Sequence, residues 1–346
     1  MKVVVTGNLG YVGTVLTPLL VARGHEVRGI DTGWYGDCVL GPVDATSVTQ
    51  QIRHDLRDVE PADLEGAEAI VHLGALSNDP IGELDPRLTA DINTRASIRL
   101  AGLARDAGVR RFVFASSCSI YGSSGGGRLD EDSTMNPLTA YARSKVDTEV
   151  ALRAMAGDGF SPVFLRNGTA YGFSPRLRVD IVVNNLVAWA VTTGKVALSS
   201  DGRAWRPLVH VEDMGRAMIV ALEADLPRVH GQAFNVGREE DNRQIRDVAT
   251  AVAAAVPGST VTFAAGAAAD ARDYNVSFAK IRRVLPDFMP RWSVESGIIQ
   301  LRDAYLKFQL DYDRFDGREF TRLKQLLYLK RVGRLDEDLA WVGDFA

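Results

Sequence analysis

A tyrosine and a lysine are spaced so that they could act together on one hydroxyl group. Tyr141 and Lys145 lie at positions i and i+4 of a segment with helical periodicity, so they share one helix face. A nearby ammonium group favours the phenolate, and we therefore expect Tyr141 to exchange a proton closer to neutral pH than a free phenol, whose pKa is about 10. The same spacing also fits two solvated side chains on an exposed helix. Ser116 and Ser117, which end a preceding predicted strand, favour the chemical interpretation because they add hydroxyl groups.

The amino-terminal segment has the form of a phosphate-binding loop. It follows a first strand, opens a helix and reads Gly7-Asn8-Leu9-Gly10-Tyr11-Val12-Gly13. Glycines let the backbone turn tightly and approach a diphosphate, while the N-terminus of a helix offers free N–H groups and a partial positive charge. The spacing differs by one residue from the Gly-x-Gly-x-x-Gly form. We expect this segment to contact a dinucleotide.

An acidic residue follows the second predicted strand. The carboxylate of Asp31 can accept hydrogen bonds from the hydroxyls of an adenosine ribose, and its charge would repel a 2'-phosphate. No Arg or Lys occurs between Asp31 and Arg53 to attract such a phosphate. The pattern favours NAD over NADP; the alternative is a solvated acid at the end of a strand.

The pattern of the rest of the chain predicts the fold that positions these residues. Short apolar, β-branched runs alternate with longer segments of helical periodicity, which indicates parallel strands joined by crossover helices. The predicted strands are Lys2–Val5, Val27–Ile30, Ala69–Leu73, Arg111–Ala115 and Pro162–Leu165. We expect an α/β fold with a Rossmann-type, doubly wound parallel sheet and a smaller, discontinuous C-terminal substrate domain.

The domain boundaries follow from a break in this rhythm near residue 165. We assign residues 1–165 to the NAD-binding domain, rejoined by 207–237, and residues 166–206 and 238–310 to the substrate domain. A hairpin is expected around Ser200–Gly202. Residues 311–346 are more charged and are expected to form a helical C-terminal extension.

Composition and charge exclude several classes of protein. The 346 residues are 46% hydrophobic and 24% charged, as in ordinary globular domains, and the net charge of -4 gives no general attraction for nucleic acid or an anionic membrane. Cys38 and Cys118 lie far apart without the neighbours of a zinc site or disulfide framework. With no apolar run long enough for a membrane helix and no signal-peptide core at the N-terminus, we expect a cytoplasmic protein without a metal.

Together the motifs resemble those of a known family. The glycine loop, Asp31, Ser117, Tyr141 and Lys145 are joined by the motifs Asp55-Leu56, His72-Leu73-Gly74-Ala75, Ile120-Tyr121-Gly122 and Asn136-Pro137. The chain is similar, over roughly residues 1 to 305, to extended short-chain dehydrogenases/reductases of the NAD-dependent epimerase/dehydratase family, which act on nucleotide sugars. The resemblance implies NAD as cofactor, a nucleotide-diphosphate sugar as substrate and a homodimer formed through helices that include the one carrying Tyr141.

The resemblance also implies roles for individual residues. Ser117, Tyr141 and Lys145 would form the catalytic triad, and Tyr141 and Lys145 would also contact the cofactor. The further cofactor contacts would be Asp55, Leu56, Leu73, Gly74 and Ala75. The substrate contacts would be Ser77, Asn78, Ser117, Ser119, Asn167, Asn185, Arg206 and Arg272. Arg176 and Arg178 depart from the family's plainer loop, and they either reach an acidic or phosphorylated substrate or lie on the surface.

The two residues after Ser117 bear on the type of reaction. Related 4,6-dehydratases carry an Asp-Glu pair there, and related decarboxylases carry Glu at the second position, whereas this chain has Cys118-Ser119. The resemblance therefore favours an epimerase that works through a transient keto sugar, with a ketoreductase that exchanges NAD(P)H as the alternative and a dehydratase or a non-catalytic nucleotide-binding relative less favoured. Cys118 is either an acid/base for epimerisation at C3 or C5 or a buried small apolar residue.

Overall fold

Strands and helices alternate through the first half of the chain in the computed structural model, which describes residues 1–44, 48–264, 270 and 272–343. The strands are β1 (Lys2–Thr6), β2 (Glu26–Ile30), β3 (Gln50–Ile52), β4 (Ala69–His72), β5 (Arg111–Ser117), β6 (Ser123–Leu129), β7 (Ser161–Asn167), β8 (Thr169–Tyr171), β9 (Lys195–Leu198), β10 (Trp205–His210), β11 (Ala233–Val236), β12 (Asn242–Gln244), β13 (Thr260–Phe263) and β14 (Asp273–Val276). The helices are α1 (Gly13–Ala22), α2 (Asp79–Gly82), α3 (Pro86–Thr89), α4 (Ala96–Asp106), α5 (Ala140–Ala154), α6 (Val182–Thr193), α7 (Val211–Glu223), α8 (Leu226–Val229), α9 (Ile245–Ala255), α10 (Ala279–Val284), α11 (Val294–Lys307), α12 (Tyr312–Asp316) and α13 (Arg322–Arg331).

Seven parallel strands form the central sheet, in the spatial order β3-β2-β1-β4-β5-β7-β11. Successive residues of β1 enter different cores, because side chains of a strand alternate between the two faces. Val3 and Val5 pack with helices α1 and α7, whereas Val4 packs with α4. The sheet is therefore covered on both faces, which confirms the predicted Rossmann-type, doubly wound α/β fold.

A turn between β1 and α1 brings the chain close to itself. Gly7 has φ of +73°, and a Cβ atom at Gly13 would lie 2.4 Å from the carbonyl oxygen of Gly7. Only glycine fits these two positions without a shift of the main chain. The chain can thus turn from β1 directly into helix α1 at the carboxyl edge of the sheet.

The second half of the chain forms smaller sheets. Strand β10 pairs with β8 and β12, strand β9 pairs in parallel with β13, and β14 pairs with β6. The predicted hairpin around Ser200–Gly202 is wrong, because β9 and β10 join different sheets through partners distant in sequence. The domain boundaries stay a prediction: β11 lies at the edge of the central sheet, while β10 lies outside it.

The residues after Leu310 pack against the first half of the chain. Leu326, Leu329, Leu335 and Leu339 form a buried cluster with five residues of the amino-terminal half. Those five are Trp34, Leu76, Ile81, Leu88 and Ile92. The segment contains α12 and α13 and then continues without a further helix to residue 343, so it is helical only in part.

We expect Gly13→Ala to destabilise the protein by about 1–3 kcal/mol, because the added methyl group must displace the backbone of Gly7 and Asn8. Gly102→Ala is the matched control: it lies inside α4, and its Cβ would meet only Met155 Cε, at 4.0 Å. The control should be neutral or stabilising by about 0.5–1 kcal/mol. Urea unfolding measures both, and equal stability of the two variants would contradict the tight turn.

Candidate active site

A pocket of about 580 Å³ lies at the carboxyl edge of the central sheet. Residues at or just beyond the ends of four strands line it, namely Gly7 after β1, Leu73 after β4, Ser117 at the end of β5 and Asn167 at the end of β7. The strand order reverses beside β1, and open α/β sheets bind ligands at such a point. The topology therefore predicts a binding site here without reference to any motif.

Ser117, Tyr141 and Lys145 all line this pocket. Thr139 caps α5 by accepting a hydrogen bond from the Ala142 N–H group at 3.1 Å, which fixes the first turn that carries Tyr141. Lys145 Nζ donates to the carbonyl oxygen of Ala115 at 2.9 Å and lies 5.6 Å from the centre of the Tyr141 ring. The i, i+4 spacing thus directs both side chains into the pocket, as the sequence predicts.

Burial controls the proton affinities of the pair. It raises the pKa of Tyr141 to about 12, reinforced by Asp79 and opposed by Arg178 and the Ser117 hydroxyl. It lowers the pKa of Lys145 to about 8, with Glu149 acting in the opposite direction. Burial therefore outweighs the groups that favour the phenolate, and the pKa of Tyr141 is shifted away from neutrality, opposite to the expectation. A positive charge brought into the pocket would favour the phenolate.

A buried ionic network lies behind Lys145. Glu149, one turn further along α5, accepts hydrogen bonds from Ser116 Oγ at 2.5 Å and from Arg166 Nη2 at 2.8 Å. Arg166 also donates to the Tyr121 hydroxyl at 3.0 Å. Sequence reasoning missed Glu149 and Arg166 as positioning residues. The spacing of Tyr141, Lys145 and Glu149 at successive i+4 positions was the available signal for Glu149.

The predicted cofactor contacts line the pocket, with two exceptions. Gly7, Gly10, Tyr11, Val12 and Gly13 line it, as do Asp31, Asp55, Leu56, Leu73, Gly74 and Ala75. Asp31 accepts hydrogen bonds from the N–H groups of Leu9 at 3.1 Å and Gly33 at 2.8 Å. Asn8 and Leu9 do not line the pocket: Asn8 instead donates to Gln51 Oε1 at 2.7 Å, which joins the loop to β3. The glycine turn, in which an added Cβ would clash, fits the diphosphate of a dinucleotide.

The opposite side of the pocket contains polar groups and two arginines. Ser77, Asn78, Ser119, Asn167, Asn185, Arg206 and Arg272 all line the pocket. Ser119 Oγ and Asn167 Oδ1 are buried without a hydrogen-bond partner among the described residues. Such atoms indicate a polar ligand, because an unpaired buried polar atom is costly.

Arg206 and Arg272 meet at one carboxylate. Arg206 Nη2 donates to Asp270 Oδ2 at 2.6 Å, and Arg272 Nη2 donates to the same oxygen at 3.0 Å. Arg272 Nη1 also donates to Asp79 Oδ2 at 2.8 Å. The two guanidinium groups are therefore held close together at the pocket wall, in an arrangement suited to a diphosphate.

Cys118 lies in the core. It is 1% exposed, its thiol donates to the carbonyl oxygen of Arg166 at 3.2 Å, and burial raises its pKa. It is absent from the residues that line the pocket, although Ser117 and Ser119 are present. This placement favours a buried apolar residue over an acid/base.

Comparison with known proteins identifies the family. A model described as the NAD dependent epimerase/dehydratase family matches residues 3–237. The chain belongs to this family. As a member of it, the protein is an enzyme, and its cofactor is NAD.

Members of the family that resemble the chain differ in activity. UDP-glucose 4-epimerase of Mycolicibacterium smegmatis is 31% identical over 266 residues, which cover 74% of this chain and 83% of that protein. UDP-glucuronic acid decarboxylase 1 of Arabidopsis thaliana is 26% identical over 326 residues, 92% of this chain and 72% of that protein. The solved structure of MoeE5 in complex with UDP-glucuronic acid and NAD has a TM-score of 0.76 at 26% identity and covers 89% of this chain and 99% of MoeE5.

Within the described part of the chain, no helix is both long and apolar enough to cross a membrane. In the same residues, no three His, Cys, Asp or Glu side chains are grouped so that they could hold a metal ion.

We expect Lys145→Met to be more stable than the wild type by about 1–3 kcal/mol at pH 7, because the wild type buries an ammonium group. The folded-state pKa of about 8 lies below the unfolded value of 10.5, so the wild type gains stability as the pH rises from 8 to 10.5. The advantage of the variant should therefore shrink at pH 9.5. Urea unfolding without cofactor at pH 7 and 9.5 measures this difference, and an advantage that does not change with pH would contradict it.

We expect Asp31→Ser to weaken NAD binding about tenfold and to reduce discrimination against NADP, because the hydrogen-bonding carboxylate and its repulsion of a 2'-phosphate are both lost. Glu26→Ser is the control, because Glu26 is exposed at the start of β2, the strand that Asp31 follows. Calorimetric titration with both cofactors measures the effect. Unchanged preference in the Asp31 variant would remove Asp31 from the adenosine site.

Proposed function

We propose that the protein is an NAD-dependent nucleotide-sugar epimerase that works through a transient keto sugar and keeps its cofactor throughout the cycle. The observation that carries this proposal is the composition of one pocket. Ser117, Tyr141 and Lys145 line it together with the glycine loop and the paired arginines Arg206 and Arg272. The relatives named UDP-glucose 4-epimerase and the MoeE5 complex with UDP-glucuronic acid and NAD support this class of substrate.

The pocket residues have distinct roles in this chemistry. When bound, NAD supplies the acceptor and donor of the hydride, and its oxidised ring adds the positive charge that Tyr141 needs. Tyr141 Oη removes the proton of a sugar hydroxyl as the carbon loses its hydride, and Ser117 Oγ hydrogen-bonds the reacting oxygen. Lys145 favours the phenolate by its charge. Arg206 and Arg272 hold the diphosphate of the substrate by charge-assisted hydrogen bonds.

An epimerisation would be completed by the return of the hydride from NAD to the opposite face of the same carbon. Tyr141 then gives the proton back to the oxygen, so protons and electrons balance without an external reductant. No acid or base other than Tyr141 is required, because the same residue removes the proton and returns it. Ser119 occupies the position where related decarboxylases carry Glu, and Cys118 is buried behind the pocket wall. These placements favour epimerisation over elimination and over proton exchange at a neighbouring carbon.

The decisive experiment incubates the protein with UDP-, GDP- and dTDP-sugars in D2O and follows the products by NMR. We expect an epimerised product without deuterium on carbon, because the hydride returns to the carbon it left. Deuterium at a neighbouring carbon would indicate a C3 or C5 epimerase. Net reduction or oxidation of added cofactor would indicate the alternative, a ketoreductase, and would overturn the proposal.

We expect Tyr141→Phe to lower kcat by about 10²–10⁴-fold, because the general acid/base is lost. Cys118→Ser is the matched control: it replaces a buried thiol outside the pocket and should keep kcat within about threefold of the wild type. Steady-state rates on the active sugar measure both. A Tyr141→Phe variant with full activity would refute the mechanism, and a Cys118→Ser variant that loses activity while folded would restore the thiol as a candidate catalyst.

We further propose a cytoplasmic homodimer that associates through helices including α5. Val150 on this helix is 58% exposed, which leaves an apolar side chain available for a second copy. Light scattering tests this association, and a monomer at all concentrations would exclude it.

A further inference from the structure

The carboxyl-terminal segment contributes a charged side chain to the pocket. Arg322 begins helix α13, which lies outside the part of the chain that the family model matches. Its side chain is 2% exposed and lines the pocket with the glycine loop. The apolar cluster around Leu326 and Leu329 holds this helix against the amino-terminal half of the chain. A residue remote in sequence is thus fixed at the cofactor site.

The contacts of Arg322 leave one terminal nitrogen of its guanidinium group without a hydrogen-bond partner. Its Nη2 donates to the carbonyl oxygen of Arg176 at 2.9 Å, and its guanidinium group lies 4.2 Å from the centre of the Tyr35 ring. Its main-chain N–H group donates to Asp180 Oδ2 at 3.3 Å. Nη1 is buried and has no hydrogen-bond partner among the described residues. The guanidinium plane is therefore held in place with one N–H edge available.

Arg178, which lies beside Arg322, also has a terminal nitrogen without a hydrogen-bond partner. Its Nε donates to Asp180 Oδ1 at 2.7 Å, and its Nη1 donates to Ser77 Oγ at 3.1 Å. Its Nη2 is buried without a partner in the described part of the chain. Arg178 is 8% exposed and lines the pocket, so the surface alternative for this residue is wrong.

The charges around these donors do not balance. Burial opposes ionisation of Asp180, but Arg178 and Arg322 outweigh it and hold the pKa of that carboxyl below its usual value. Arg178 forms an ion pair with Asp180, whereas the Arg322 guanidinium forms none among the described residues. Asp31 acts electrostatically on Arg322 and on Arg176, which is also 8% exposed and lies next to them. Uncompensated buried charge is costly, so the site is suited to an anion.

The position of this pair indicates which anion binds. Arg322 packs against the ring of Tyr35, which follows β2 and the predicted ribose contact Asp31. Arg178 donates to Ser77, which follows β4. Because β1 and its glycine loop lie between β2 and β4, the two arginines flank the path that a dinucleotide diphosphate must take.

We propose that Arg178 and Arg322 bind the diphosphate of NAD together with the glycine loop, so that the carboxyl-terminal segment retains the cofactor. Each arginine offers one unpaired terminal nitrogen, Nη2 of Arg178 and Nη1 of Arg322, and guanidinium–phosphate hydrogen bonds are charge-assisted. The inference rests on NAD being the cofactor and does not depend on which sugar reaction is catalysed.

The test compares Arg322→Met, Arg322→Lys and the control Arg331→Met, which removes an exposed arginine of the same helix that does not line the pocket. Calorimetric titration with NAD should show binding 10–100-fold weaker in Arg322→Met, an intermediate loss in Arg322→Lys and no change in Arg331→Met. Ligand-observed NMR with adenosine, which lacks phosphate, should show a change of less than about twofold in every variant. Arg322→Lys keeps the charge and gives the answer if Arg322→Met does not fold.

Three results would overturn the proposal. Unchanged NAD affinity in a folded Arg322→Met variant would make Arg322 structural. An equal loss for NAD and adenosine would place it at the nucleoside. A selective loss for UDP-glucuronic acid over UDP-glucose, with NAD affinity unchanged, would assign the site to a substrate carboxylate. A wild type that does not bind NAD at all would instead contradict the proposed function.

Discussion

The burial of the Lys145 ammonium group is the constraint on which the site depends. The group is held by the carbonyl oxygen of Ala115, at the end of β5, and lies 4.7 Å from the centre of the Phe114 ring. Glu149 and Arg166 form an ion pair behind it, so the nearest carboxylate is already engaged. A charge kept in such surroundings is poorly compensated, which lowers the pKa of Lys145 to about 8.

This arrangement links the fold to the chemistry. Strand β5 supplies Ala115 and Ser117, and helix α5 supplies Tyr141, Lys145 and Glu149, so one strand–helix contact fixes the reacting groups. The ionic network lies on the core side and the hydroxyl groups on the pocket side. Burial holds the pKa of Tyr141 at about 12, so in the proposed reaction the positive charge of the oxidised cofactor would favour deprotonation. The proposed mechanism therefore couples base strength to cofactor binding.

Local patterns made part of this predictable from the sequence. The glycine loop, Asp31 and the Tyr141–Lys145 pair could be recognised because each motif spans only one turn or one strand end. The glycines, Asp31, Tyr141 and Lys145 all line the pocket. Cys118 shows a limit: Ser117 and Ser119 face the pocket, and the residue between them points into the core, as alternation around a strand end would indicate. The pairing of β9 with β13 and the arrival of Arg322 depend on contacts between residues far apart in sequence. No local pattern encodes them.

The ionisation of Tyr141 tests the central claim most directly. A spectrophotometric pH titration, taken as the difference between the wild type and Tyr141→Phe, gives its pKa with and without bound NAD⁺. The account predicts a pKa of about 12 for the protein alone and a value below 10 in the NAD⁺ complex. In Lys145→Met, the pKa of Tyr141 in the NAD⁺ complex should be higher than in the wild-type complex. A tyrosine pKa that does not respond to NAD⁺ would contradict the account.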